Sequence, residues 1–178
     1  TATTEIYTLP YTTLFRSTLF SLFCGEVFDM RLTTKGRYAV TAVLDLALHQ
    51  DEGPVSLAAI SERQDISLSY LEQLFAKLRR NSIVSSTRGP GGGYKLTNNV
   101  DEVSVSDIIL AVDESCKVVD CGDSDGCNHS DYHCLTHDLW QELSNEIRTF
   151  LDGITISEIM AQEGVHDVKV RQDEVVGI

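Results

Sequence analysis

The 178-residue chain contains no apolar run approaching the length of a membrane span, which excludes a helical transmembrane protein. It is also short of positive charge: 14 Lys and Arg face 27 Asp and Glu, for a formal net charge of −13. A surface uniformly of that sign would repel nucleic acid. Its one glycine run, Gly89-Pro-Gly-Gly-Gly93, lacks the Lys-Ser/Thr of a phosphate-binding loop and leads into a strand-like segment, so nucleotide binding is disfavoured. No carboxylate pair or nucleophile–base arrangement stands out, and the acidic residues scatter as a solvating face, so the chain reads as a non-enzyme. What remains is ordinary globular composition, 42% hydrophobic and 23% charged, enough for one domain with an extension.

The charge total hides an asymmetry. Residues 30–97 carry nine Lys and Arg against six Asp and Glu, a net of +3. Residues 98–178 carry four against eighteen, a net of −14. A mildly basic part joined to an acidic part suggests a polyanion-binding module with an appendage that stays off the polyanion. The opening residues fit neither. The run Leu19–Cys24 is too short for a secretory signal, with only Arg16 before it and no small-residue cleavage site. The stretch TATTEIYTLPYTTLFRS instead resembles a translated sequencing-library adaptor, so residues 1–29 are expected to be extraneous and Met30 the start. The remaining cysteines are then expected in a reducing cytosol, where clustered thiols are more often metal ligands than disulfides.

From Thr33 the periodicity is helical, with Tyr38, Ala39, Ala42, Val43, Leu46 and Ala47 as the apolar stripe. Asp51-Glu-Gly-Pro54 ends that helix, and a short helix follows from about Ser56 with Leu57 and Ile60 inward. After a break at Gln64-Asp65-Ile66, Ser69 and Glu72 form a capping-box pattern. Leu71, Leu74, Phe75 and Leu78 then face inward, and Tyr70, Gln73, Lys77 and Arg80 outward. Two helices joined by a short turn, the second presenting polar and basic residues, make a helix-turn-helix. Ile83–Arg88 and Tyr94–Thr97 read as two strands around the glycine loop, a wing with Arg88 at its mouth. Residues 30–97 are therefore expected to be a winged helix-turn-helix DNA-binding domain, in a fold that is mainly α with a small β wing.

Residues 98–162 contribute a short helix over Val105–Val112, capped by Ser104 or Ser106, and a longer one from Thr136. In the longer helix Leu139, Trp140, Leu143, Ile147, Phe150 and Leu151 recur every three or four residues. That stripe suits a second copy of the chain, or folding back onto the wing domain. Thr155-Ile-Ser-Glu158 is a second capping box, and the polar residues 163–178 are expected to be disordered.

Between these helices, Cys121, Cys127 and Cys134 lie with His129, His133 and His137 in 17 residues too polar and rich in Gly and Asp to build a core. Such a segment gains order by binding a soft or borderline metal, and three thiolates with one imidazole suit either zinc or a small iron–sulfur cluster.

The blocks MRLTTKGRYAVTAVLDLAL, ISLSYLEQLFAKLRR, STRGPGGGY, AVDES and CLTHDLW resemble the winged-helix, cluster-sensing regulators of the IscR family, from Met30 to about Val168. The resemblance implies a cytoplasmic bacterial homodimer that binds operator DNA, regulates iron–sulfur assembly genes as repressor or activator, and receives its cluster from the assembly machinery. It implies a [2Fe–2S] cluster on Cys121, Cys127, Cys134 and His137, and DNA contacts at Ser69, Tyr70, Gln73 and Arg88, with outward-facing Lys77 a further candidate contact. It also implies that Glu72 filters which operators the cluster-free form accepts. Six residues separate Cys127 from Cys134 where the family usually has five, which makes His133 a candidate for ligand exchange, or for a site shared with His137 one helical turn on. Cys116 and His129 are potential ligands that the family pattern does not use. A nitric-oxide or redox sensor of the same fold, and a zinc-stabilised DNA-binding or interaction protein, are the competing expectations.

Overall fold

A computed structural model of the chain describes residues 33–118 and 133–176, with side chains through Gln172. The expectations for residues 1–29, and for Cys121, Cys127 and His129, lie outside the described residues. Helix α1 (Thr34–His49) follows the predicted stripe: Ala39, Ala42, Val43, Leu46 and Ala47 are all buried. A 3-10 turn at Gln50–Glu52 and Gly53, whose φ of 142° suits only glycine, reverse the chain before Pro54. Helix α2 (Leu57–Gln64) starts where the Ser56 hydroxyl accepts the Ala59 amide and stops at Asp65 in the left-handed region.

Helix α3 (Leu68–Arg80) corrects the expected start. Its N-cap is Ser67, which makes no side-chain cap, while the Ser67 carbonyl accepts the amides of Tyr70 and Leu71. The helix thus begins before Ser69, so the Ser69–Glu72 pair is not the capping box the pattern suggested. Its inward face is as expected, with Leu71, Leu74, Phe75 and Leu78 buried. Each such side chain contributes roughly 1.5–3 kcal/mol of burial.

Strands β1 (Val84–Thr87) and β2 (Gly93–Leu96) form an antiparallel hairpin in which Ser86 pairs with Tyr94. Tyr94 exchanges two backbone hydrogen bonds with Val55, at 2.9 and 2.8 Å, and its ring meets Phe75 edge-on at 4.9 Å. The wing is thereby fixed to both the linker before α2 and the core of α3.

Helix α4 (Val105–Ala111) carries a complete capping box between Ser104 and Asp107, and its Ile108 and Ile109 are fully buried. Helix α5 (His137–Asp152) follows, then α6 (Ile156–Met160), whose capping box of Thr155 and Glu158 is the one expected. Buried residues of α1 to α4, the wing and Ile156 make one continuous core.

The expectation of a disordered tail over 163–178 meets a helix instead, α7 (Glu163–Val176). Its contacts are polar, which is why apolar periodicity did not announce it. Lys169 donates to the Leu48 carbonyl at 2.8 Å, and Gln172 bonds both the Gln64 side chain and the Arg63 carbonyl at 3.2 Å. Beneath them Asp45, 1% exposed, accepts from Arg63 and Gln64.

Candidate nucleic-acid interface and metal centre

Packing Leu71, Leu74, Phe75 and Leu78 into the core turns the opposite face of α3 outward. Ser69, Glu72, Gln73 and Arg80 are exposed there, and Arg88 is exposed at the wing loop. Tyr70, expected outward, is half-buried, its ring edge-on to Tyr38 at 6.0 Å. That contact fixes the start of α3 against α1. Arg79 reaches the wing, donating to Ser86 Oγ at 3.4 Å.

Lys77 is engaged within the protein. Its Nζ lies 2.9 Å from Asp113 Oδ2, an ion pair between the middle of α3 and the end of α4. The hydrogen bond from Lys77 holds the Asp113 carboxyl below its ordinary value, and the same bond raises the lysine. Lys35 closes the group by donating to the Asp113 main-chain oxygen at 3.0 Å; burial, then the Lys77 ammonium, lowers its own proton affinity. Sequence periodicity found Lys77 but gave no sign of this pair, because Asp113 lies outside any helical stripe.

Asp113 has φ 55° and ends α4 as a Schellman motif: its amide bonds the Leu110 carbonyl and the Glu114 amide that of Ile109. Glycine ordinarily fills that position, and aspartate tolerates it. From there residues 113–118 run as a strap over the molecule. Glu114 Oε1 accepts the Thr33 amide at 2.9 Å, and its other oxygen is buried without a hydrogen-bond partner. Cys116 is half-buried, and burial pushes its thiol up. At the end of the strap the Val118 amide donates to Ser144 Oγ at 3.1 Å, and that hydroxyl donates to the Trp140 carbonyl at 2.7 Å. Ser144 is the one buried residue of α5.

The candidate ligands Cys134 and His137 stand at the N-terminal end of the same helix. Both are half-buried. Cys134 Sγ lies 3.8 Å from Thr136 Oγ1, which also accepts from Trp140 Nε1 at 3.1 Å. The rings of His133 and His137 are 4.0 Å apart, centroid to centroid. One thiol and two imidazoles thus fall within residues 133–137, residue types that zinc or an iron–sulfur cluster takes. Among the described residues no three metal-ligating side chains converge, so a complete site needs donors from outside them.

The wing, the exposed face of α3 and the order of helices together describe a winged helix-turn-helix regulator. Residues 32–162 match the family described as Rrf2, iron-dependent transcriptional regulator. The chain belongs to the Rrf2 family. The HTH-type transcriptional regulator IscR of Photorhabdus laumondii is 58% identical over 144 residues, 81% of this chain and 87% of that one. IscR of Pectobacterium carotovorum matches at the same identity and coverage. Among solved structures, T. potens IscR is similar with a TM-score of 0.63 and 38% identity, covering 76% of this chain and 91% of that one. CymR, the global cysteine regulator of B. subtilis, is similar with a TM-score of 0.61 and 32% identity, covering 73% and 95%. The Photorhabdus and Pectobacterium relatives are named as HTH-type transcriptional regulators, and this Rrf2 chain is a DNA-binding transcriptional regulator, not an enzyme. Among the described residues no helix is long and apolar enough to cross a membrane.

Proposed function

We propose that this Rrf2 regulator acts in the bacterial cytoplasm on operators of iron–sulfur cluster biogenesis genes, sensing cluster status through a labile [2Fe–2S] cluster. Cys121, Cys127, Cys134 and His137 are the proposed ligands. The observation that supports the reading is where the described chain leaves and rejoins: Ser144 of α5 holds the Val118 amide before the thiol-rich segment, and Cys134 and His137 stand at the start of α5 after it. A cluster bound there would supply a cross-link that breaks on oxidation or loss of iron, and one imidazole in place of thiolate raises its potential. The chain's own residues do the rest. Cys134 and His137 bind at the start of α5, Thr136 orients the Cys134 sulfur, and Ser144 fixes the strap that leads back to α3.

On the DNA side, Ser69, Gln73 and Arg88 are the proposed contacts, with Tyr70 placing the start of the recognition helix. Lys77 offers its charge to phosphate. Glu72 is exposed, and the corrected helix start frees it from any capping duty. A carboxylate at that place accepts only from donors such as cytosine N4 and repels phosphate, so it restricts which operators are accepted. Ligation and operator then change each other's affinity by the same factor, typically about 1–3 kcal/mol. The working form is a homodimer joined through α5, whose Leu139 and Phe150 are 56% and 68% exposed. The cluster assembly machinery is the proposed donor, and repression and activation follow from where each operator lies.

Anaerobic purification followed by an absorption spectrum and iron, sulfide and zinc analysis tests the reading. Visible charge-transfer bands with two irons and two sulfides per subunit are expected from a [2Fe–2S] cluster. A colourless protein holding one zinc and no sulfide would replace it with the zinc-stabilised reading.

A further inference from the structure

Lys77 has two possible partners of the same chemistry, a carboxylate within the protein and a phosphate of the DNA. We propose that Asp113 is an internal competitor for DNA phosphate, a positioning residue that holds Lys77 away from the duplex until phosphate displaces it. The inference rests on the reading that the exposed face of α3 meets DNA.

The placement of Asp113 supports this role. The backbone there needs only a residue that tolerates φ 55°, which glycine does best, yet it bears the carboxylate that meets Lys77 Nζ at 2.9 Å. Lys35 binds the main-chain oxygen of the same residue and so steadies the acceptor from its other side. The pair is open to solvent, with side-chain exposures of 32% for Lys77 and 70% for Asp113. An exposed pair is weak, so an incoming phosphate can displace it at small cost. Its consequence is therefore a graded reduction of duplex affinity, not a lock.

Asparagine tolerates the left-handed backbone, so Asp113→Asn removes the charge and keeps the cap. Iron-stripped full-length protein is titrated against a fluorescein-labelled duplex of mixed sequence at several salt concentrations. Asp113→Asn should tighten binding about two- to fivefold. The slope of log K against log salt should stay at its wild-type value, because phosphate displaces Asp113 in the wild-type complex too and the number of phosphate contacts is unchanged. Lys77→Gln should weaken binding and abolish the Asp113→Asn gain in the double variant. Asp101→Asn removes an exposed charge elsewhere and should not tighten binding as Asp113→Asn does.

An Asp113→Asn protein with wild-type affinity, while Lys77→Gln still weakens binding, would overturn the competitor and leave the interface standing. A Lys77→Gln protein with unaltered binding would overturn both.

Discussion

Arg63 Nη2 lies 2.6 Å from Asp45 Oδ1 in an ion pair between α1 and α2 whose side chains are 3% and 0% exposed. Gln64 Nε2 adds a third donor to the same carboxylate at 2.7 Å. Removing one member strands a buried charge. Asp45→Ala is therefore expected to destabilise the fold by about 3–5 kcal/mol in urea or thermal unfolding. Replacing both partners, as Asp45→Leu with Arg63→Met, should recover much of that loss, because no charge is then left unpaired. A double variant as unstable as the single one would show that the geometry of the pair, and not charge burial, sets the cost.

Gly93 governs the wing. A Cβ at this position would press on the Val55 carbonyl, and at Gly92 on the Thr87 carbonyl. Both obstacles are backbone and cannot swing aside. Gly93→Ala should cost about 1–3 kcal/mol by forced displacement and should weaken duplex binding, read by calorimetry and anisotropy. Gly91, with open space around it but φ 74°, should lose stability through strain alone.

Cys116 should be a slow thiol. Burial is the first cause of its raised proton affinity, so the neutral form persists above the ordinary thiol value of 9.0. Iodoacetamide modification followed by peptide mass spectrometry should therefore be slow at pH 7–8. It should accelerate only at a pH beyond the range of an unhindered cysteine. Rapid labelling of Cys116 at neutral pH would contradict the burial that the fold assigns it.

The α5 stripe predicts concentration dependence. Phe150→Asp should turn a proposed homodimer into monomers in sedimentation, with the wing domain still folded. For the unmodified chain the unfolding midpoint should rise with protein concentration, as it does whenever association stabilises only the native state. A midpoint independent of concentration would place that apolar face against something other than a second copy.

Much of this was legible in the sequence, for a physical reason. Each core helix buries a stripe, and a stripe of period near 3.6 is visible without coordinates. Leu71, Leu74, Phe75 and Leu78 identify the inward face of α3, and the glycine run between two strand-like segments identifies the wing. Capping boxes were legible where the reciprocal pair exists, at Thr155 and Glu158, but Ser69 and Glu72 imitate one two residues inside the helix that Ser67 begins. What the sequence hid is polar and long-range. Lys169, Gln172, Asp113 and Ser144 act through hydrogen bonds or ion pairs to distant residues, and no periodicity encodes such a contact. Of the candidate metal centre, residue types and spacing were plain, and so was the one-turn step from His133 to His137, whose rings lie 4.0 Å apart.

The hydrogen bond between Val118 and Ser144 has a consequence for how the thiols meet an ion. It holds residue 118 beside α5, the helix that His137 opens. The entropy of bringing those two points of the chain together is spent when the protein folds, before any ligand arrives. On the proposed ligand set, that closure would not have to be made again when an ion is bound. Loosening Ser144, as in Ser144→Ala, would then weaken metal capture without altering a single donor atom.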